Sequence, residues 1–127
     1  MNKNHKKIVI CEDDPKTLRD LRIVCNTPHS QIIKEFTSGI DFIEWLKNHP
    51  NEPNLIILDI IMKKMDGFVV FHEIQKINSK IPIIIISIEN SASLIKYLVL
   101  NGAKDYITKP YDLEQLRLRI LKHLQKL

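Results

Sequence analysis

The sequence predicts an α/β fold in which one doubly wound, five-stranded parallel sheet is covered by helices on both faces. Short apolar runs rich in β-branched residues alternate five times with longer stretches whose apolar residues have helical spacing. Three of the runs, at residues 8–10, 55–58 and 83–86, are apolar throughout, which is typical of strands buried on both faces. Five strand–helix units in succession favour a parallel sheet with right-handed crossovers.

The predicted elements alternate along the whole chain. Strands are predicted at residues 8–11, 31–36, 55–60, 83–87 and 106–108. Helices are predicted at residues 15–25, 40–48, 68–77, 92–100 and 113–124. We therefore expect each strand to be joined to the next by one helix.

Capping residues mark the predicted helix ends. Asp14 precedes Pro15 and suits the N-cap of the first helix, because proline favours the first helical position. Ser38 and Asp112 can cap the second and fifth helices in the same way. Gly102 follows the fourth helix, where glycine ends a helix at little steric cost.

The composition is that of one folded domain, which we place at residues 7–127 behind a short basic tail at residues 1–6. Of the 127 residues, 44% are hydrophobic and 27% are charged, which are ordinary values for a globular protein. No apolar run approaches the roughly 20 residues that span a bilayer, and the basic N-terminal residues precede no apolar signal segment. We therefore expect a cytoplasmic protein that does not associate with a membrane.

The charge and cysteine content narrow the function classes further. The net charge of +4 comes from scattered lysines and arginines, with no basic cluster interleaved with aromatic residues. We therefore expect no direct nucleic-acid binding by this domain. Cys11 and Cys25 form no Cys-x-x-Cys pair, so we expect both to be buried as small apolar side chains.

The residues at the ends of the predicted strands carry complementary chemistry. Glu12 and Asp13 follow the first strand, Asp59 and Ser87 end the third and fourth, and Lys109 follows the fifth. Ligands of open α/β sheets bind outside the carboxyl ends of the strands. If the first and third strands are neighbours, three carboxylates converge there and need protons or a cation. Carboxylate oxygens with room for water suit Mg²⁺.

Each of these residues also has a purely structural interpretation. Asp13 could begin a helix, Asp59 could be a turn residue, Ser87 could bond to the local backbone, and Lys109 could be a surface charge. Their occurrence at four of the five strand ends favours a functional site instead. The set suits a nucleophilic carboxylate, Asp59, beside positive charges that neutralise a transferring phosphoryl group.

Four segments resemble, in the same order, the motifs of response-regulator receiver domains of two-component signal transduction: IVICEDDP at residues 8–15, LDIIMKKMDG at 58–67, PIIIIS at 82–87 and GAKDYITKP at 102–110. The resemblance covers the chain from Lys7 onward. It implies a flavodoxin-like (βα)5 fold, similar to the chemotaxis response regulators, with strand order 2-1-3-4-5. It also implies a signalling domain rather than an enzyme, which catalyses only its own Mg²⁺-dependent phosphoryl acceptance and slow dephosphorylation.

The resemblance also assigns roles to the residues at the site. Asp59 would accept a phosphoryl group from a sensor histidine kinase or a phosphotransfer protein. Glu12, Asp13, Asp59 and the backbone carbonyl of Ile61 would bind Mg²⁺. Lys109 would contact the phosphoryl group.

A conformational switch is implied by the same resemblance. Ser87 would move to the phosphoryl group and Tyr106 would follow inward, while the peptide bond from Lys109 to Pro110 would be cis. The face made by the fourth helix, the fifth strand and the fifth helix would repack to control an output or to form a homodimer. The fourth helix is apolar around more of its circumference than one buried stripe needs, through Leu94, Ile95, Tyr97, Leu98, Val99 and Leu100. Any output domain would lie outside these 127 residues.

The chain departs from the family pattern at three places. Lys63 and Lys64 replace a usual Pro-Gly pair, and Ile88 stands where a small Ala or Gly is usual. Ile61 and Glu89 occupy positions that influence hydrolysis of the phosphoaspartate in the family. The bulk of Ile88 predicts restricted access to Asp59.

Two other functions stay open on the sequence. Ile88 and the two lysines would suit a receiver-like binding module that works without phosphorylation. A flavodoxin-like enzyme would need a glycine- or hydroxyl-rich loop after the first strand, whereas this loop is acidic. The phosphoacceptor domain is therefore the leading hypothesis.

Overall fold

The structure of the protein is a computed structural model that describes residues 5–63 and 65–127. Its strands are β1 Lys6–Cys11, β2 Ser30–Phe36, β3 Leu55–Leu58, β4 Ile61–Met62, β5 Met65–Asp66, β6 Ile83–Ser87 and β7 Asp105–Thr108. Its helices are α1 Pro15–Cys25, α2 Gly39–Asn48, α3 Gly67–Ile77, α4 Ala92–Leu100 and α5 Leu113–Gln125. Within the described residues, no helix combines the length and the apolar character that crossing a bilayer requires.

The five long strands form one parallel sheet in the order β2-β1-β3-β6-β7. The two-residue strands β4 and β5 form a separate antiparallel hairpin. If only the five strands of the parallel sheet are numbered, their order is 2-1-3-4-5, as predicted. The α/β fold class predicted from the sequence is therefore confirmed.

The predicted bounds hold for α1, α4 and β6, but the predicted end of the third strand is wrong. The sequence predicts a strand through residue 60, whereas β3 ends at Leu58. The chain leaves the sheet there because the Asp59 carboxylate accepts a hydrogen bond from the Ile61 N–H at 2.8 Å. Ile61 then pairs with Asp66 and Met62 with Met65, which forms the β4–β5 hairpin.

The start of the chain lies partly within the sheet. β1 begins at Lys6, which pairs with Ser30, so the last residue of the predicted tail belongs to the first strand. Residues 1–4 of that tail lie outside the described residues.

Two apolar layers lie on opposite faces of the sheet. On one face, side chains such as Val9 and Ile56 pack against α2, α3 and α4. On the other face, Ile8 and Ile57 pack against α1 and α5. Each fully buried side chain of this size contributes roughly 1.5–3 kcal/mol to folding, which explains why the central strands are apolar throughout.

The two cysteines lie in different layers. Cys11 is buried on the α2–α3 face and Cys25 on the α1 face, and both thiols are free. Burial raises the pKa of each thiol to about 12. Both are therefore inert apolar side chains, as the sequence predicts.

The predicted caps are formed. The Asp14 carboxylate accepts a hydrogen bond from the Thr17 N–H at 3.2 Å, and Pro15 occupies the first turn of α1. Ser38 and Asp112 cap α2 and α5 in the same way. Gly102 has a φ of 114°, a conformation that favours glycine at the end of α4.

Gly67 lets α3 begin directly against the chain that leaves β3. A Cβ atom at Gly67 would lie 2.1 Å from the Ile60 Cα and 2.4 Å from the Ile60 carbonyl oxygen. Both are backbone atoms and cannot rotate away. The absence of a side chain at Gly67 therefore allows the start of α3 to pack directly against Ile60, the residue that follows Asp59.

We expect Gly67→Ala to destabilise the protein by about 1–3 kcal/mol, because the added methyl group forces backbone atoms apart. Urea unfolding of the full chain measures this loss. Lys96→Ala, at an exposed position of α4, is the matched control and should change stability by less than about 0.5 kcal/mol. Equal stability of Gly67→Ala and the wild type would show that the start of α3 can move away from Ile60 without a cost in free energy.

Candidate functional site

The site is assembled by the pairing of β1 with β3. Cys11 lies beside Leu58 in the sheet, so the residues that follow these two strands are neighbours. Glu12, Asp13 and Asp59 each offer a carboxylate oxygen, and these oxygens lie within 4.8 Å of one another. The predicted convergence of three carboxylates at the carboxyl edge of the sheet is present.

Glu12 is completely buried and is fixed by the backbone. Its Oε2 accepts hydrogen bonds from the N–H groups of Asp13 at 3.0 Å and Asp14 at 3.1 Å. Its Oε1 lies 2.9 Å from Lys109 Nζ, but without hydrogen-bond alignment, so it has no hydrogen-bond partner among the described residues. Burial, and then the negative charge of Asp59, raise the pKa of Glu12 from 4.5 to about 7.

Asp59 is 2% exposed and is held by both of its oxygens. Oδ1 accepts from the Ile61 N–H at 2.8 Å, and Oδ2 accepts from Lys109 Nζ at 2.9 Å. Burial lowers the pKa of the Lys109 ammonium group. The contacts of this group with Glu12 and Asp59 outweigh burial, so the pKa is raised overall. A permanent positive charge therefore lies against one oxygen of Asp59.

Asp13 lies at the open side of the cluster. It is partly exposed, and its Oδ2 accepts a hydrogen bond from the Lys63 N–H at 3.3 Å. Ile61 follows in β4 with 43% of its surface exposed. Lys64, the second of the two unusual lysines, lies outside the described residues.

The three carboxylates fit a hard divalent cation. They provide oxygen donors only, and the buried Glu12 Oε1 is left without a hydrogen-bond partner among the described residues. Mg²⁺ is bound in proteins through one or two carboxylates with several retained waters. Burial and then the negative charge of Asp59 raise the pKa of Glu12, and such an ion would relieve the repulsion between the two carboxylates.

Ser87 and Tyr106 both bond to the backbone of Glu89. The buried Ser87 Oγ accepts from the Glu89 N–H at 3.3 Å, and the Tyr106 hydroxyl donates to the Glu89 carbonyl at 2.6 Å. Tyr106 is 6% exposed and so points inward, and burial raises its pKa. The convergence on Glu89 is absent from the sequence prediction, because the contact with Tyr106 joins two different strand–helix units.

Ile88 stands at the rim of the site instead of filling it. Its side chain is 64% exposed and lines a cavity of about 320 Å³ together with Lys109 and Tyr111. The Tyr111 hydroxyl donates to Asp20, a contact across 91 residues that no local pattern signals. The peptide bond from Lys109 to Pro110 is cis, as predicted.

A doubly wound parallel sheet with this acidic edge defines a class of proteins whose chemistry occurs at the carboxyl ends of the strands. The family model of the response regulator receiver domain matches residues 8–121. The chain therefore belongs to the receiver-domain family of two-component response regulators.

Individual relatives agree with this family. The chain is similar to the probable C4-dicarboxylate response regulator DctR of Bacillus subtilis, with 29% identity over 126 residues that cover 98% of the chain and 55% of the relative. It is also similar to the sensor histidine kinase CheAY of Helicobacter pylori, with 35% identity over 86% of the chain and 14% of the relative. The chain thus spans about half of the first relative and a smaller part of the second.

Solved structures show the same fold. The CheX–CheY–BeF3–Mg complex from Borrelia burgdorferi matches with a TM-score of 0.84 and 27% identity, over 93% of this chain and 88% of the matched chain. The receiver domain of Thermotoga maritima CheB matches with a TM-score of 0.81 and 21% identity, over 96% and 95% of the two chains.

We expect the metal-free protein to lose stability as pH rises, because Glu12 has a higher pKa in the folded state than its ordinary value. The folded protein therefore binds more protons between pH 4.5 and about 7, so this stabilising contribution is complete below 4.5 and is lost as pH passes 7. Glu12→Gln keeps an oxygen for the two N–H donors and removes the charge. In EDTA at about pH 8 the variant should be more stable than the wild type by about 1–3 kcal/mol.

Chemical denaturation across this pH range is the measurement. Glu44→Gln, at an exposed position of α2, is the control and should follow the wild type at every pH. Parallel curves for Glu12→Gln and the wild type would mean that Glu12 is ionised in the folded protein without cost.

Proposed function

We propose that this chain is a phosphorylation-controlled switch in which Asp59 accepts a phosphoryl group from a sensor histidine kinase or a phosphotransfer protein. The observation that carries the proposal is the contact between Asp59 Oδ2 and Lys109 Nζ at 2.9 Å inside an acidic pocket. Membership of the receiver-domain family supports it. So does the likeness to part of a protein named as a sensor histidine kinase.

The chemistry is a phosphoryl transfer between a histidine and an aspartate. An Asp59 carboxylate oxygen attacks phosphorus, the N–P bond of the donor phosphohistidine breaks, and the imidazole leaves with the bonding electron pair. Charge on the transferring group is stabilised by Lys109, whose ammonium group already lies against Asp59. Glu12, Asp13, Asp59 and the Ile61 carbonyl would hold Mg²⁺, which supplies further positive charge to the same group.

The phosphoryl group would act on the helix that follows β6. It adds about −1.5 to −2 charges and new acceptor oxygens beside Asp59. If the Ser87 side chain turned to donate its O–H to these oxygens, its Oγ would leave the Glu89 N–H from which it now accepts a hydrogen bond. Since Tyr106 holds the Glu89 carbonyl, a shift at this residue changes the face formed by α4, β7 and α5.

The same face would carry the output. Tyr97, Val99 and Leu100 on α4 are exposed by 44%, 47% and 74%, more apolar surface than isolated surface residues present. We assign this face to a downstream partner or to a homodimer. The receiver unit comprises residues 7–127, acts in the cytoplasm, and binds neither membrane nor nucleic acid directly.

Phosphorylation can be tested on the intact protein with acetyl phosphate and Mg²⁺. Wild type should gain one phosphoryl group, about 80 Da by mass spectrometry, and Asp59→Asn should gain nothing. Asp41→Asn, which alters an exposed carboxylate on α2, should be labelled like the wild type. An unlabelled wild type, or equal labelling of Asp59→Asn, would contradict the proposal.

A receiver-like binding module that works without phosphorylation is the second candidate. The inward position of Tyr106 favours it, because such a module is expected to hold one fixed conformation. The two functions differ in their response to BeF3⁻ and Mg²⁺, a phosphoryl mimic with its metal. Amide shifts at Ser87 and along α4 on addition support the switch, whereas an unchanged spectrum supports the fixed module.

We expect Ile88→Ala to accelerate labelling of Asp59 by about two- to tenfold, the effect of lowering a barrier by up to ~1.4 kcal/mol. The bulky side chain stands at the rim beside Lys109 and narrows the donor's approach. Initial rates with acetyl phosphate measure the effect. Val99→Ala, which removes a similar exposed side chain from α4, should leave the rate unchanged; equal rates for Ile88→Ala and the wild type would exclude a gating role.

A further inference from the structure

A groove between α2 and α3 has no place in the phosphoacceptor chemistry. Its volume is about 720 Å³, and its apolar lining includes Ile40 and Ile43 on α2 and Val69 and Val70 on α3. Met65 of the β4–β5 hairpin closes one end. Two of these residues are largely exposed, Ile40 by 73% and Val69 by 56%, so the groove is open to solvent along its length.

The rim of the groove is acidic although the chain is basic. Glu44, Asp66 and Glu73 line it together with a single lysine, Lys47. Glu73 is also paired with Lys76 at 3.3 Å. Glu44 and Asp66 together with Lys47 therefore leave a small negative balance on a chain with a net charge of +4. This charge pattern favours a basic occupant, because complementary charges steer association and suppress wrong partners.

The shape of the groove favours a helix as the occupant. The lining positions on α2 run from Ile40 to Lys47, over two turns of that helix. Those on the other wall run from Asp66, the N-cap of α3, to Glu73 in its second turn. At 1.5 Å per residue this is a trough of roughly 11 Å between two helices. A small molecule would stay exposed in such an open trough, whereas ligand pockets bury most of their ligand.

We propose that the α2–α3 groove docks an amphipathic helix of a protein partner. Apolar side chains spaced at i, i+3 or i+4, and i+7 would enter between Ile40 and Val69. Lysines or arginines flanking that stripe would face Glu44, Asp66 and Glu73. The proposal does not depend on phosphorylation, because the groove is present with Asp59 unmodified.

The groove and the acceptor site share one structural element. Met65 pairs with Met62 and Asp66 with Ile61 in the β4–β5 hairpin. The Ile61 N–H in turn donates to Asp59 Oδ1. A helix seated against Met65 and Asp66 therefore touches the hairpin that positions the acceptor carboxylate.

The test uses a capped peptide of about 16 residues, long enough to form a helix, with leucines at the docking spacing and flanking lysines. It is titrated into the ¹⁵N-labelled full chain at low salt, without Mg²⁺ or phosphoryl donor. Amide shifts should map to α2, α3 and residues 65–66. The same peptide with glutamates in place of lysines should bind about tenfold more weakly or worse.

Two matched variants locate the binding. Ile40→Ser should lower the affinity for the lysine peptide by about three- to tenfold, because one apolar contact residue is lost. Ile23→Ser alters an equally exposed isoleucine on α1, 67% against 73%, and should leave binding unchanged.

The proposal is overturned by shifts confined to α4 and α5, by equal affinity for the two peptides, or by equal effects of the two isoleucine variants. It is also overturned if millimolar lysine peptide shifts no resonance of α2 or α3. Since every arm omits phosphorylation, failure here leaves the acceptor function untouched, and failed labelling of Asp59 leaves the groove untouched.

Discussion

The contact of Lys109 with two buried carboxylates is the interaction on which the site depends. Glu12 and Asp59 both lie within 2.9 Å of its ammonium group, and both are almost fully buried. Carboxylate oxygens of these two residues lie within 4.8 Å of each other, and buried like charges this close repel strongly in a medium of low dielectric constant. Burial first, and then the negative charge of Asp59, raise the pKa of Glu12. One lysine cannot neutralise three neighbouring carboxylates. The pocket is therefore left with excess negative charge that favours a cation.

The backbone around the pocket is arranged to hold these charges in place. Glu12 receives two N–H donors from the start of α1, and Asp59 receives one from Ile61 in the β4–β5 hairpin. The hairpin can form there because Gly67 admits α3 against Ile60. The position of Asp59 thus depends on the β4–β5 hairpin, and the hairpin depends on the start of α3. We therefore expect a substitution at Gly67, although this residue carries no charge, to displace the Asp59 carboxylate.

Much of the fold could be predicted because it follows from local patterns. A run of apolar residues predicts β6, and Asp14 followed by Pro15 predicts the start of α1. Each of these patterns involves only a few consecutive residues. The hairpin could not be predicted in this way, because strands of two residues have no periodicity. The strand-end residues of the site were also predictable, since parallel strands bring their carboxyl ends to one edge. Side-chain contacts between residues far apart in the sequence, such as Asp105 with Arg119 and His123, carry no local signal.

Helix α4 buries few of its side chains, which suits the element that moves in the proposed switch. Of its nine residues, all of them described, Leu98 is the one fully buried side chain, whereas α1 buries five of its eleven residues. An element with little buried apolar area shifts at a lower free-energy cost than one fixed in the core. The loop before α4 is the loop whose Glu89 is held by both Ser87 and Tyr106. The excess apolar surface on this helix and its low burial are therefore two consequences of one pattern. Leu98 enters the core, whereas Tyr97, Val99 and Leu100 face outward, where a partner rather than the core can bury them.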